Sequence, residues 1–212
     1  MRAVRCLFLG TKVRCTVDHM LETLLALSMY CVLMAATPGP NTVMLTASGA
    51  NFGYRRTLPH LIGVVFGLTF MTLIACFGLA AVFTRFPLLH EVLRFVGAMY
   101  MIYLAWRIAG MGAAEADDKQ RPLLFSEAVA FQLVNPKAWI RAVTLATVFM
   151  PKELGVLAGA VVVSAIGLAI GFLFMTLWTL FGVGIRTQLQ SPRRRRVFNM
   201  CMAASLVFLA VK

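Results

Sequence analysis

Charged side chains are scarce in this sequence. Only 13% of the 212 residues are charged and 60% are hydrophobic, whereas a soluble domain is typically about 25% charged and about 45–50% apolar. One core of this size cannot hide the excess, because much of any folded surface still faces the solvent. Part of that solvent is therefore expected to be lipid. The chain is also too short to carry a separate catalytic domain beside a membrane bundle.

Motifs for metal binding, thiol exchange and nucleotide hydrolysis are missing too. The five cysteines form no C-x-x-C pair, the three histidines stand in no metal-ligand pattern, and no G-x-x-x-x-G-K-S/T loop occurs. We therefore predict no metal site, no cofactor and no catalytic residues. The cysteines are interpreted as small buried hydrophobic residues.

Positive charge is abundant, with a net charge of +12. In a soluble protein this would suggest nucleic-acid binding. Here the basic residues lie mainly between apolar runs, where Lys and Arg set membrane topology. The run Arg193–Arg196 is interpreted in the same way, as a topology anchor that attracts anionic lipid headgroups. We predict contact with membrane lipid and no nucleic-acid partner.

Six apolar runs dominate the chain, and a helix needs about 20 residues to cross a bilayer core. The sequence thus predicts an all-α membrane protein with six transmembrane helices in a single transporter domain, residues 20–212. The runs cover residues 21–50, 57–84, 88–108, 124–150, 154–185 and 197–211.

Lys and Arg are distributed unequally between the two sides of such a bundle. Alternate loops place ten of them on one side and four on the other, counted from residue 20 onward. The richer side is expected to be cytoplasmic. The protein is then a multi-pass protein of the inner (plasma) membrane with both termini outside.

The first apolar run is interrupted near its middle. Two prolines remove amide donors and block regular helix bonding, and the glycine between them adds freedom. Carbonyls freed in this way are costly in hydrocarbon unless polar groups meet them. Such a break is tolerated where protein covers it or where it lines a wet cavity. The interrupting residues are Pro38, Gly39, Pro40 and Asn41.

The fourth run carries a second break, which includes cations. A charged side chain at membrane depth costs at least about 2.5–3.5 kcal/mol, so Lys137 is expected to face the bundle interior. Arg141 lies one turn further on and shares its helix face. The residues of this break and its flanks are Gln132, Asn135, Pro136, Lys137 and Arg141.

The two breaks occupy matching positions in the two halves of the chain. Pro40 precedes the second run, at Thr57, by 17 residues, and Lys137 precedes the fifth, at Leu154, by the same number. Because each half has three helices, the second half starts from the opposite side of the membrane. The pattern predicts two inverted repeats, about 20–110 and 122–212, with a substrate site near the midplane.

Glycines recur at helix-packing spacing in the second and fifth runs. A G-x-x-x-G pattern lets two helix backbones approach closely. We predict a packing role for Gly63, Gly67, Gly167 and Gly171.

Several of these motifs resemble the LysE/RhtB family of amino-acid exporters from about residue 20 to the end of the chain. The first break followed by 53–56, the stretch 97–107 and the stretch 131–138 carry the resemblance. It implies secondary active efflux of amino acids or derivatives, driven by an ion gradient that we expect to be of protons. The branch most similar exports cysteine and O-acetylserine. The protein is expected to be either a monomer or a homo-oligomer.

The sequence departs from the family pattern in its acidic residues. Many members carry an aspartate where this chain has Asn41, and an acidic residue near Leu68 or Thr69, where this chain has none. No carboxylate is evident at mid-depth to carry a proton. A substrate carboxylate is the natural partner of the two cations at the second break.

Three functions are compared. An exporter of small neutral amino acids would hold the α-carboxylate at Lys137 and Asn135. It would hold the ammonium at Asn41 and at carbonyls around Pro38 and Pro40. A membrane thiol-redox protein needs cysteines in facing helices, and the fourth run has none. A passive channel or an accessory subunit is the third possibility.

Residues 1–19 contradict the charge distribution, because they add four basic residues to the predicted outside. Their apolar stretch is too short for a signal peptide. We predict a natural start at Met20, with residues 1–19 a disordered leader or one wrongly assigned to the protein. The intact mass of the native protein checks this, and a mass matching all 212 residues contradicts it.

Overall fold

The computed structural model describes residues 9–79, 87–111 and 121–211, which are mostly helical and contain no strand. Residues 1–8 of the predicted leader, and the loops 80–86 and 112–120 used in counting charges, lie outside the described residues. Residue 212 lies outside them as well.

Eight α-helices account for most of the described residues. A π-helical turn, Ala75–Leu79, extends the third, and short 3-10 turns, Lys152–Leu154 and Arg186–Leu189, flank the seventh. The helices are α1 (Leu9–Ala36), α2 (Pro40–Phe52), α3 (Tyr54–Ile74), α4 (Pro87–Gly110), α5 (Phe125–Val134), α6 (Pro136–Thr147), α7 (Gly155–Ile185) and α8 (Pro192–Val211).

Four helical stretches are long and apolar enough to cross a membrane: Asp18–Ala36, Tyr54–Gly78, Glu91–Gly110 and Gly155–Leu189. The expected all-helical membrane fold is confirmed at this level. The fourth run is divided between two short helices, α5 and α6, and α8 begins with four arginines that shorten its apolar part. The arrangement of six crossings in two inverted repeats stays a prediction.

Helix α1 begins at Leu9, upstream of the predicted start at Met20. Helix therefore covers 9–19, and the expectation that residues 1–19 are a disordered leader or one wrongly assigned to the protein stays a prediction. The physical reason for the helix is that no proline interrupts the sequence between Leu9 and Ala36, so nothing ends the helix before the first break. The expected natural start at Met20 stays a prediction.

Large apolar side chains cover the outer faces of the long helices. Leu25, Met29 and Leu33 of α1 are each more than half exposed, and so are Phe95 and Trp106 of α4. In water such a surface would drive aggregation, whereas lipid tails solvate it. The exposed faces thus suit a bilayer.

Helix α2 lies at the centre of the bundle. Every residue from Pro40 to Ala50 is buried, and the helix packs against α3, α7 and α8. Its contact with α7 is between backbones: a Cβ on Gly49 would overlap the carbonyl of Thr179, and a Cβ on Gly182 would overlap that of Thr46. The absence of side chains at these two glycines is what allows this approach.

The four glycines singled out from the sequence have different surroundings. Gly63 and Gly67 face α5, where a Cβ would lie 2.5 Å from the Phe125 carbonyl oxygen and 2.7 Å from Gln132 Cγ respectively. Gly167 faces the guanidinium of Arg141. Gly171 differs from the expectation, because a Cβ there would meet no atom within 4 Å. It borders open space instead of a neighbouring helix.

We expect Gly182→Ala to destabilise the bundle, because the added methyl group must separate α2 from α7. Overpacking of this kind costs about 1–3 kcal/mol, which lowers the melting temperature by roughly 2–12 °C. The shift is measured by heating the protein in detergent and monitoring the loss of folded protein by size-exclusion chromatography. Gly184→Ala is the matched control on the same helix, since a Cβ at Gly184 meets nothing within 4 Å. Equal melting temperatures for the two variants would contradict the close approach.

Candidate functional site

The two helix breaks meet in space although about 100 residues separate them. The Lys137 ammonium donates to the Thr37 carbonyl over 2.6 Å and lies 3.5 Å from the Pro38 carbonyl oxygen. Gly39 lies against the same side chain, and a Cβ there would be 2.9 Å from Lys137 Cδ. The cation of the second break thus binds the carbonyls that the first break leaves free.

Local hydrogen bonds shape the first break. Helix α1 ends at Ala36, Gly39 is extended (φ −164°, ψ −178°), and α2 starts at Pro40. The Gly39 N–H donates to Thr42 Oγ1 over 2.8 Å, as in a capping box. The indole N–H of Trp178 donates to the Ala35 carbonyl over 3.2 Å. Side chains therefore bind backbone groups that the break leaves without a helical partner.

The second break is built by the same means. Asn135 is extended (φ −86°, ψ 109°), and its side chain accepts the Lys137 N–H over 3.1 Å, which caps α6. Pro136 occupies the first turn of α6, where its missing N–H costs little. The indole N–H of Trp139 donates to the Leu133 carbonyl over 2.7 Å.

A buried network of three amides joins the breaks a second time. Asn41 donates to Gln132 Oε1 over 2.8 Å, and Gln132 donates back to Asn41 Oδ1 over 3.1 Å. Asn135 adds a longer bond to the same Gln132 oxygen, at 3.4 Å. This reciprocal pairing satisfies Asn41 without an acidic partner.

Arg141 is a buried cation, with only 8% of its surface exposed. Its guanidinium donates to Thr72 Oγ1 over 3.3 Å and to the Gly167 carbonyl over 3.0 Å. Among the described residues no carboxylate pairs with it. A buried charge with neutral partners alone is costly, so an anion entering this region is stabilised.

These groups surround one cavity in the middle of the bundle. The room open to the centre of a water molecule is about 40 Å³, enough for a few waters or one compact solute group. The first turns of α2 and α6 both border it, and helix N-termini favour negative charge. Of the residues predicted to bind substrate, its walls include Gly39, Pro40, Asn41, Asn135, Lys137 and Arg141, and the packing glycines Gly167 and Gly171 border it as well.

Three predicted site residues do not line this cavity. Gln132 lies behind it and acts through Asn41. Pro38 and Pro136 belong to the breaks but lie outside the cavity wall, and Pro38 is exposed. Their part is to interrupt the helices.

Other residues of the site were not singled out from the sequence. Thr42 could have been found, because its spacing from Gly39 is that of a capping box. Cys31 and Met175, which line the cavity, and the two tryptophans that bind freed carbonyls carry no distinguishing sequence pattern. Thr72, which accepts a hydrogen bond from Arg141 over 3.3 Å, is likewise marked by no sequence motif.

The chain is similar to known proteins. Residues 32–212 match the family described as LysE type translocator. The cysteine/O-acetylserine efflux protein of Escherichia coli (strain K12) is 30% identical over 186 residues, which cover 86% of this chain and 93% of that protein. The protein of the same name from Salmonella typhimurium (strain LT2) is 28% identical over 184 residues, with the same two coverages. No solved structure matches.

The family match extends over both breaks and every helix from the last part of α1 onward. It confirms the resemblance seen in the sequence, and with the apolar helices it makes the protein a multi-pass membrane transporter and not an enzyme. The chain belongs to the LysE-type translocator family.

Proposed function

We propose that this protein exports small neutral amino acids or their derivatives across the inner membrane. The observation that carries the proposal is the central cavity, where the two cations Lys137 and Arg141 face one space with no carboxylate among its lining residues. The similar proteins of Escherichia coli and Salmonella are named as efflux proteins for cysteine and O-acetylserine. A zwitterion of that kind suits the charges that line this cavity.

The substrate α-carboxylate would bind between the two cations. Lys137 and Arg141 supply charge, and the first turns of α2 and α6 add backbone N–H groups. The Asn135 side chain adds a donor, because its amide makes only a long bond to Gln132, at 3.4 Å. All these groups reach the cavity from two different halves of the chain.

The substrate ammonium would bind the oxygens of the first break. The carbonyls of Thr37 and Pro38 are available once Lys137 turns from them to the substrate carboxylate. The Asn41 side-chain oxygen, which accepts a hydrogen bond from the Gln132 side-chain amide in this structure, is a further acceptor. A lysine or arginine side chain would bring a second positive charge next to Lys137 and Arg141, which disfavours cationic substrates.

Exchange of partners by Lys137 offers a route to alternating access. Without substrate, Lys137 ties the end of α1 to the start of α6. A bound carboxylate competes for the ammonium and weakens that tie, so the two inverted repeats can rock against each other around the site. In this proposal the transport cycle is coupled to an ion gradient, with both chain termini outside.

We expect a counterflow screen in proteoliposomes to identify small zwitterions as substrates. Cysteine, serine and O-acetylserine should exchange, whereas lysine should not, because its side-chain cation would lie next to Lys137 and Arg141. An imposed pH gradient should drive accumulation, which a passive channel cannot support. Exchange of lysine in preference to all neutral amino acids would contradict the proposed substrate class.

Removal of the Lys137 ammonium should weaken substrate binding. For Lys137→Met we expect KM to rise about tenfold to a hundredfold, the worth of a charge-assisted hydrogen bond. Initial rates of counterflow over a range of substrate concentrations measure this. Arg56→Ala is the control, because it removes one positive charge from an exposed position that is not part of the cavity lining. If Lys137→Met transported every tested amino acid as well as the wild type does, this role of Lys137 would be wrong.

A further inference from the structure

A second cavity lies beside α2, toward the other end of that helix from the breaks. Its walls include Met44 and Ser48 of α2, His60 of α3 and Arg107 in the last turn of α4, together with Arg121–Leu123 before α5. The room open to a water centre is about 30 Å³, so the space admits water. The central site does not use any of these residues.

His60 is the unusual side chain of this cavity. Only 1% of it is exposed, and neither ring nitrogen has a hydrogen-bond partner. A buried polar group without a partner is costly, and each such group in a native fold requires an explanation. No hydrogen bond in the described structure requires an imidazole at this position, since a leucine would fill similar space without the cost.

The groups that face His60 leave its two nitrogens available. Ser48 Oγ accepts the Thr57 hydroxyl over 3.3 Å. Arg107 donates to the Arg121 carbonyl, and both arms of the Arg121 guanidinium bind Glu127 at 2.8 Å. The titratable surroundings are thus two arginines on the α4 and α5 side and one carboxylate that is already paired, with no charged group from α2.

We propose that His60 is the proton-binding residue that couples export to the proton gradient, an inference that rests on the proposed function. Histidine in contact with water is the side chain whose charge changes near neutral pH. Neither cavity has a carboxylate among its lining residues. His60 borders a cavity that admits water, so it can take up and release a proton when that cavity opens.

Helix α2 provides the connection between the proton and the substrate. It borders the second cavity with Met44 and Ser48 and the central cavity with Pro40, Asn41 and Thr42. A proton on an imidazole nitrogen adds a third positive charge beside Arg107 and Arg121. That repulsion favours the arrangement in which the cavity opens to water. Protonation of His60 and binding of substrate therefore both shift the conformational equilibrium of α2.

The proton balance of the cycle is simple. One ring nitrogen of His60 takes up a proton from the side with the higher proton concentration. The helices reorient, the nitrogen releases the proton to water on the other side, and one amino acid crosses in the opposite direction. No bond other than N–H forms or breaks. Exchange of substrate for substrate needs no proton release, so it can proceed without His60 titrating.

The test separates exchange from coupled transport in proteoliposomes that contain His60→Gln or His60→Asn. The probe is radiolabelled L-cysteine kept reduced, or the amino acid with the fastest counterflow in the wild type. With one proton per substrate, a gradient of about one pH unit supports about tenfold accumulation in the wild type. Both variants should show no accumulation above equilibrium, no substrate-dependent proton flux in a pH-dye assay, and counterflow within about twofold of wild type.

His19→Gln is the matched control, because the side chain of His19 is 67% exposed on α1. It should accumulate substrate as the wild type does. Gradient-driven accumulation by the His60 variants would overturn the inference. If both variants lost counterflow as well as accumulation, the inference would also be overturned, since His60 would then be required for translocation itself. Failure of the wild type to exchange any amino acid would instead contradict the proposed function.

Discussion

The bundle depends on finding donors for backbone carbonyls that its two helix breaks set free. In hydrocarbon no water can bind these oxygens, and each one left alone costs several kcal/mol. The Lys137 ammonium binds the Thr37 carbonyl, and Trp178 and Trp139 bind those of Ala35 and Leu133. Each donor comes from another part of the chain or from beyond the break. The two halves therefore stabilise each other where both are interrupted.

The same solution creates the central site. A cation that binds neutral carbonyls retains its charge, and Arg141 nearby is likewise bound by neutral oxygens. The cavity between them is positive, bordered by two helix N-termini and without a carboxylate. Groups that close the breaks during folding are thus the groups that an anionic substrate group would meet. Stability and binding depend on the same bonds, which explains how a ligand could loosen the contact between the halves.

The positions of prolines and cations in the sequence predict much of this site. Pro38, Pro40 and Pro136 predict the two breaks, and the burial cost of a cation places Lys137 and Arg141 inside the bundle. The role of glycines was less predictable: Gly171 faces open space, while Gly49 and Gly182, for which no packing role was predicted, allow the backbones of α2 and α7 to approach. A four-residue spacing indicates which positions share a helix face. It does not state which helix, if any, that face meets.

The amino-acid sequence by itself determined the membrane environment, the helical class, the positions of the breaks and the family resemblance. These follow from local properties: hydropathy, the missing proline N–H and short motifs. Only the tertiary structure decided that Lys137 reaches Thr37, that Asn41 pairs with Gln132, and that His60 is buried without a partner. Such contacts join residues far apart in the chain. They depend on how whole helices pack against one another, which short sequence patterns do not specify.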